Sequence, residues 1–383
     1  PRRNPLGERH PRRNPLVSAT PREMEAMRRA LRLAWRARTL SPPNPWVGAL
    51  VLTGQGCFQG HTQRPGGPHA EIVALQQAGE LAKGATLVTT LEPCSHTGRT
   101  PPCTEAILAA GMRRVVIGIE DPDPKVSGSG IARLRQAGLE VVTGVMAEEV
   151  RHQLAPYIVH RAMGRPYVVL KLASTLDGRI AAPDGSSKWI TGPIARADVA
   201  RLRSESDAIL VGAGTLGLDD PSLRVHFEKL DKEAMRTWGI NAGDLEAVQL
   251  RVRQPLRLVA GEIPPRARCQ PAESLFSGPE GPSENPSALR EALSRLAERG
   301  VIQLLCEGGA RLAWSLHRAG LVDRYVVYVA PKLMGGSDGK AFMEGPGASA
   351  LRQALRGNFG GVVRLGDDLR IDFTPGQVRA QEQ

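Results

Sequence analysis

Residues 85–103 read Ala85-Thr86-Leu87-Val88-Thr89-Thr90-Leu91-Glu92-Pro93-Cys94-Ser95-His96-Thr97-Gly98-Arg99-Thr100-Pro101-Pro102-Cys103. The first seven residues are apolar or β-branched and predict a buried strand. Pro93 ends it, a glycine-containing loop follows, and Pro101-Pro102-Cys103 opens a helical pattern over 104–110. Strand, loop and helix in succession are the unit of an α/β fold. Upstream, Pro65-Gly66-Gly67-Pro68 leads into His69-Ala70-Glu71 and a second helical run with Ile72, Val73 and Leu75. His69 and Cys103 therefore stand at helix starts, and Cys94 stands just past a strand. A helix N-terminus favours negative charge and lowers a thiol pKa, so thiolate formation and zinc binding reinforce each other there.

His69, Cys94 and Cys103 supply three zinc-type ligands, which leaves the fourth position of a tetrahedral site open for water. Glu71, two residues after His69, can reach that water without ligating. Hydrolytic deamination needs this set: an activated water to attack an amine-bearing carbon, and a carboxyl group to carry protons to the departing amine. Here eight residues separate the two cysteines, where the usual zinc-deaminase signature has two. Alternatives are a Cys94–Cys103 disulfide, two buried thiols, or a closed structural zinc site with His96 as fourth ligand. The four residues taken together favour a catalytic site.

The length of 383 residues predicts two domains. A hydrophobic content of 41% and a charged content of 23% describe a globular chain. No apolar run is long enough to span a membrane. Five cysteines, odd in number and not spaced as a framework, favour a reducing, cytoplasmic setting. The net charge of +11 is concentrated at the start, where residues 1–40 hold eleven arginines against three acids. There Pro1-Arg2-Arg3-Asn4-Pro5-Leu6 recurs as Pro11-Arg12-Arg13-Asn14-Pro15-Leu16. Such a tract cannot bury a core, so 1–20 is expected to be a disordered basic extension. It lacks the apolar core of a secretory signal.

From Pro21 a helix is predicted, with Met24, Met27, Leu31 and Trp35 at helical spacing. Strands follow at 47–52, after the turn at 54–56, at 113–119 and at 139–142, with a helix over 131–137. This alternation predicts a three-layer α/β sandwich over 21–147. A helical connector is expected at 148–165. A second alternating region, 166–383, has buried strands at 166–171, 208–211, 256–259, 302–305 and 324–329. Stretches 227–253 and 262–286 read as insertions or long loops.

Asn44-Pro45-Trp46-Val47-Gly48, His69-Ala70-Glu71 and the run 92–103 resemble the bifunctional deaminase-reductases of riboflavin biosynthesis. The second half agrees through Lys171-Leu172-Ala173-Ser174-Thr175-Leu176-Asp177-Gly178-Arg179, Trp189-Ile190-Thr191, the run 207–215, Asp219-Asp220-Pro221 and Glu307-Gly308-Gly309. The resemblance covers roughly 21–383 and implies a cytidine-deaminase-like domain followed by a dihydrofolate-reductase-like one. The first would hydrolyse the exocyclic amine of a diaminopyrimidinone carrying a ribosylamino 5′-phosphate, with zinc. The second would use NADPH to reduce the ribose to a ribityl chain. The implied partner is thus a small pyrimidine ribosyl phosphate, with no membrane or nucleic acid required and a homo-oligomer compatible.

The resemblance assigns His96 and Arg99 to the substrate phosphate and Asn44 to the pyrimidine ring. An arginine fork suits a phosphate, and a glycine-containing loop can close over one. In the second half it places Ser187, Arg203, Leu223 and Glu307 against substrate. Ser174, Trp189, Thr215 and Asp219, with Gly309, Ala310, Arg311, Leu312, Ala313, Trp314 and Ser315, are placed against cofactor. Gly308-Gly309 before a helical run makes sense as a pyrophosphate cradle. Lys171 and Asp219 are the candidate proton donors for hydride transfer. His226 stands where the family usually has an arginine, with Arg224 close enough to substitute. The stretch after Val259 lacks the polar or acidic residue expected near the cofactor. Two other readings compete: an RNA deaminase, suggested by the basic start, and a deaminase whose second half has become a binding module.

Overall fold

The computed structural model describes residues 18–98, 101–123, 126–187, 190–226, 253–276 and 285–376. The repeat at 1–16 and most of 227–253 lie outside the described residues. Helix α1 (Pro21–Ala37) opens with a capping box: Thr20 Oγ1 accepts from the Glu23 N–H, and the Glu23 carboxylate accepts from the Thr20 N–H. Residues 18–20 thus belong to the fold and not to the disordered extension expected at 1–20. The Ser18 carbonyl accepts from Arg114 at 3.2 Å.

Strands β1 (Gly48–Leu52), β2 (Cys57–His61), β3 (Thr86–Leu91), β4 (Arg114–Ile119) and β5 (Glu140–Thr143) form one sheet in the order β2-β1-β3-β4-β5. β1 is antiparallel to both neighbours, and β3, β4 and β5 are parallel. Ala49 pairs with Gly60, so Gly48 and Gly60 face opposite sides. A Cβ on Gly48 would lie 1.9 Å from the Ala30 carbonyl of α1, and one on Gly60 would lie 2.2 Å from the Ala70 carbonyl of α2 (Ala70–Ala78). The two helices therefore cover opposite faces, which makes the three layers. This close approach also changes the buried stripe of α1. Ala26, Met27, Ala30, Leu33, Ala34 and Ala37 are buried, whereas Met24, Leu31 and Trp35 are only partly covered. Small side chains win where backbones nearly touch.

Helices α3 (Cys103–Ala109), α4 (Ser129–Gln136) and α5 (Ala147–Met163) complete this half. The expected connector coincides largely with α5, which is built into the first core through Val150, Leu154 and Tyr157.

The second half contains β6 (Tyr167–Thr175), β7 (Arg179–Ala181), α6 (Pro193–Ser204), β8 (Ala208–Gly212), α7 (Ala213–Asp219), β9 (Leu256–Ala260) and β10 (Glu273–Ser274). It continues through α8 (Pro286–Glu298), β11 (Gln303–Cys306), α9 (Ala310–Arg318), β12 (Arg324–Ala330), β13 (Lys340–Ala341), β14 (Gly357–Leu365) and β15 (Asp368–Pro375). Its main sheet runs β10-β9-β8-β11-β6-β12-β15-β14, parallel from β10 to β12, with the β14–β15 hairpin added antiparallel. Along β6, Val168, Leu170 and Leu172 join the core under α8 and α9, while Val169 joins the core on the α6 and α7 side. Ile302, immediately before β11, is buried in the core of the first half, which fixes the two sheets together.

Candidate active sites

In the first half, β1 begins where β3 ends, and the Gly48 N–H donates to Thr90 Oγ1 at 3.2 Å. Asn44, the loop after β2 that carries His69, and the loop after β3 that carries Cys94 therefore meet at one edge of the sheet. This is the carboxyl edge of parallel strands β3 and β4, where open α/β sheets bind ligands.

His69 caps α2, and Cys103 is the first residue of α3. The His69 Nδ1 atom lies 3.6 Å from Cys94 Sγ and 3.3 Å from Cys103 Sγ. All three ligand atoms fall within 4.8 Å of one another. Tetrahedral zinc with ordinary Zn–S and Zn–N bonds would set such sulfur–nitrogen edges at roughly 3.5 Å. Two thiols with one imidazole at these separations thus fit zinc, and all five cysteines are free, which removes the disulfide alternative. A hydrogen bond from the Cys103 thiol and the nearby imidazole pull the Cys94 thiol down to about 4, whereas its thiolate neighbour and burial push Cys103 up. A bound cation would favour the thiolate form of both.

Glu71 is 4% exposed, and its Oε2 lies 3.7 Å from Cys103 Sγ. Burial pushes its carboxyl up to about 7, against the pull of His69. A carboxyl poised there can accept and return a proton. His96 is exposed and Asn44 is half-buried on the loop entering β1. Arg99 lies outside the described residues.

One buried carboxylate beside the site escaped the sequence reading. Glu92, 3% exposed, accepts four backbone N–H groups: Asp121 and Gly128 at 3.0 Å each on one oxygen, Gly130 at 2.8 Å and Ile131 at 3.1 Å on the other. It ties the cysteine loop to the start of α4. Its place beside Pro93-Cys94 was the available signal, but its partners lie 29–39 residues away.

In the second half, Arg203 on α6 forms a two-pronged ion pair with Glu307, with Nη2 to Oε2 at 2.7 Å. Burial works to raise Glu307, but Arg203 and then Lys171 hold it below the usual carboxylate range. Burial pushes Lys171, on β6, below the usual lysine value, with Glu307 and Asp219 pulling it back. Ser187 Oγ donates to Asp219 Oδ1 at 3.0 Å. Lys171, Ser187, Arg203, Asp219 and Glu307 thus form one group at the carboxyl ends of the central strands. Leu223 is fully buried with φ +51°, a left-handed conformation that costs a leucine energy. Ser222 Oγ lies 3.1 Å from His226 Nε2.

Glycines end β8 (Gly212), follow β9 (Gly261) and follow β11 (Gly308 and Gly309), so bare backbone stands at the carboxyl ends of three adjacent strands. Gly308 and Gly309 have φ +105° and +96°, and a Cβ on Gly309 would meet Thr215 Oγ1 at 3.0 Å. Glycine backbone at a helix start suits a pyrophosphate, so the residues present fit a dinucleotide. On α9, Ala310, Leu312, Ala313 and Ser315 are buried, Arg311 is exposed, and Trp314 Nε1 donates to the Pro346 carbonyl at 3.1 Å. Ser174 is 2% exposed, and Trp189 lies outside the described residues.

Two family profiles divide the chain in the same way. The cytidine and deoxycytidylate deaminase zinc-binding region matches residues 21–119, and the RibD C-terminal domain matches 166–370. The riboflavin biosynthesis protein RibD of Escherichia coli (strain K12) is 40% identical over 364 residues, covering 90% of this chain and 96% of that protein. This chain belongs to the RibD family. RibD from Acinetobacter baumannii has a similar structure, with a TM-score of 0.80 and 34% identity, covering 93% of this chain and 99% of that one. A diaminohydroxyphosphoribosylaminopyrimidine deaminase/5-amino-6-(5-phosphoribosylamino)uracil reductase of Thermotoga maritima gives 0.75 and 30%, covering 92% and 99%. As a RibD chain it is a bifunctional enzyme of riboflavin biosynthesis, with a zinc-binding deaminase half and an NADPH-using reductase half of dihydrofolate-reductase-like fold. No helix among the described residues is long and apolar enough to cross a membrane.

Proposed function

We propose that the first site deaminates a diaminopyrimidinone carrying a ribosylamino 5′-phosphate, and that the second reduces the deaminated product's ribosyl chain to ribityl. The observation that carries the reading is the His69, Cys94 and Cys103 triangle with the buried Glu71 carboxyl beside it. Zinc, when bound, supplies the Lewis acidity that makes water nucleophilic at neutral pH. Glu71 takes the proton of the attacking water as oxygen adds to the amine-bearing carbon, then returns it to the departing amine, so that ammonia leaves. Asn44 orients the ring, and His96 with Arg99 holds the phosphate.

NADPH, when bound, supplies the hydride. The hydride must be matched by a proton, which we assign to Lys171 and Asp219. The Arg203–Glu307 pair orients the substrate, with Ser187, Leu223 and His226 lining it. We assign the cofactor to Ser174, Trp189 and Thr215 and to the stretch 309–315, chiefly through its first backbone N–H groups. A cytoplasmic setting, which suits five free thiols, completes the proposal, with the domain limits of 21–147 and 166–383 adjusted so that residues 18–20 and α5 join the first domain.

The test is a mass-resolved assay on the phosphorylated diaminopyrimidinone with and without NADPH. Deaminated product without NADPH, and deaminated plus reduced product with it, is expected. Deamination with NADPH untouched would reject the reductase half, and no turnover by the zinc-loaded chain would reject the substrate.

A further inference from the structure

One concavity among the described residues lies at neither site. Leu52 at the end of β1 pairs with Thr86 at the start of β3, and Thr86 pairs with Arg114 at the start of β4. This is the edge of the first sheet opposite the cysteines. A cavity of about 330 Å³ opens there, at the small end of the roughly 300–1,000 Å³ typical of small-molecule sites.

Three cations from separate segments line it: Arg22 in the first turn of α1, Lys83 in the loop before β3, and Arg113 before β4. Arg22 is held in place, since its Nη2 donates to the Thr53 carbonyl at 2.8 Å. Lys83 and Arg113 make no side-chain hydrogen bond or ion pair among the described residues. Their backbones are held side by side, because the Arg113 N–H donates to Ala85 at 3.1 Å and the Gly84 N–H to Gly111 at 2.8 Å. The single acid in the lining, Glu23, is already committed. It accepts from Arg114 Nε at 2.7 Å and Nη2 at 3.1 Å, and from the Thr20 N–H at 2.7 Å. The lining therefore carries three cations against one acid that is already paired with Arg114, and this excess of positive charge draws in anions. Leu81, 37% exposed, offers apolar surface beside the cations, with Leu52, 9% exposed, next to it in the lining.

We propose that this cavity is a second small-molecule site that binds an organic phosphate: the phosphate between Arg22, Lys83 and Arg113, and an apolar ring against Leu52 and Leu81. Arginine forks and a lysine point charge are the groups that recognise phosphate oxygens. The apolar surface would favour a ring-bearing ester over the free anion.

The test is calorimetric titration of the full-length, zinc-loaded chain with phenyl phosphate and with inorganic phosphate. Phenyl phosphate is expected to bind more tightly than inorganic phosphate. The exposed double variant Lys83→Glu/Arg113→Glu should lose that binding by about tenfold or more, because two charges are reversed around one anion. Its zinc content and deaminase kcat should stay unchanged, which separates this site from the catalytic phosphate site. Leu81→Ser should erase the preference for phenyl phosphate and leave inorganic phosphate binding as it was. Equal titrations of wild type and the double variant would place the binding elsewhere and overturn the proposal. So would the absence of phenyl phosphate binding to wild type at millimolar concentrations.

Discussion

The Arg38 guanidinium donates to the Gln303 amide oxygen at 2.9 Å, across the junction between the two sheets. Arg38 is 3% exposed and also lies 4.0 Å over the Trp46 ring. Trp46 follows the Asn44-Pro45 turn at the first site, and Gln303 begins the strand that leads to Glu307 at the second. A buried cation spans the join between the halves. Gln303→Leu should therefore cost about 1–3 kcal/mol, the penalty of leaving Arg38 without its acceptor, read as a lower urea midpoint. Arg38→Met in that background should recover part of the loss, since an apolar side chain needs no partner. If the two single changes simply add, the hydrogen bond does not couple the halves.

Glu92→Gln should loosen the cysteine loop. An amide NH₂ would face two of the four backbone donors that the carboxylate now satisfies, at a cost of about 2–4 kcal/mol. The expected readout is a reduced urea midpoint together with reduced zinc per chain by mass spectrometry. Full zinc content at unchanged stability would show that the four hydrogen bonds do not shape the metal site.

Asp121 gives the chain a stability that falls as pH rises. Burial pushes its carboxyl up to about 6, with the Asp123 and Glu92 charges adding to the shift and the Asp123 N–H opposing it. The folded state therefore binds the proton more tightly than the unfolded chain. The contribution is fully present below the ordinary aspartate value and is lost as pH rises through about 6. Asp121→Asn should gain on the order of 2 kcal/mol at pH 8 and little at pH 4. Equal midpoint shifts at the two pH values would contradict this.

Glu71→Gln should keep zinc and lose deamination by at least about 10²-fold, the range of general acid–base contributions. NADPH oxidation on pre-deaminated substrate should be unchanged. Chelation should abolish deamination and spare reduction in the same assay. Deamination surviving in the variant would remove Glu71 from the proton path.

Arg203→Lys should damage reduction selectively. Lysine keeps the charge but not the fork that grips both Glu307 oxygens, so the orientation of the pair is lost. A drop of about tenfold or more in reductase kcat/KM, with unaltered deaminase activity, is expected. Equal activity in both halves would make the ion pair a scaffold contact only.

Much of this was legible in the chain order. His69, Cys94 and Cys103 announced a metal site because each residue type has a narrow range of uses and the flanking prolines and glycines marked helix starts. The central strands of both sheets were legible because buried parallel strands are unbroken apolar runs, whereas β10 (Glu273–Ser274) falls in the stretch 262–286 read as insertion or loop, since two exposed polar residues carry no apolar signal. The β14–β15 hairpin was not read. Gly357-Asn358-Phe359-Gly360-Gly361 breaks the apolar pattern, and most of β14 is exposed, so no hydrophobic periodicity marks it. The buried face of α1 was misread because alanine carries a weak apolar signal. Its burial follows from Gly48 on another strand.

The sequence by itself determined the donor set, the central buried strands of both halves, and the family, since these depend on residue type and local spacing. Only the tertiary structure decided that Glu92 holds four distant N–H groups, that Arg38 reaches Gln303, and that Arg22, Lys83 and Arg113 surround one cavity. Those facts depend on which segments the sheets bring side by side. The physical reason is that hydrogen bonds and charges act over a few ångströms in space, whatever the separation along the chain.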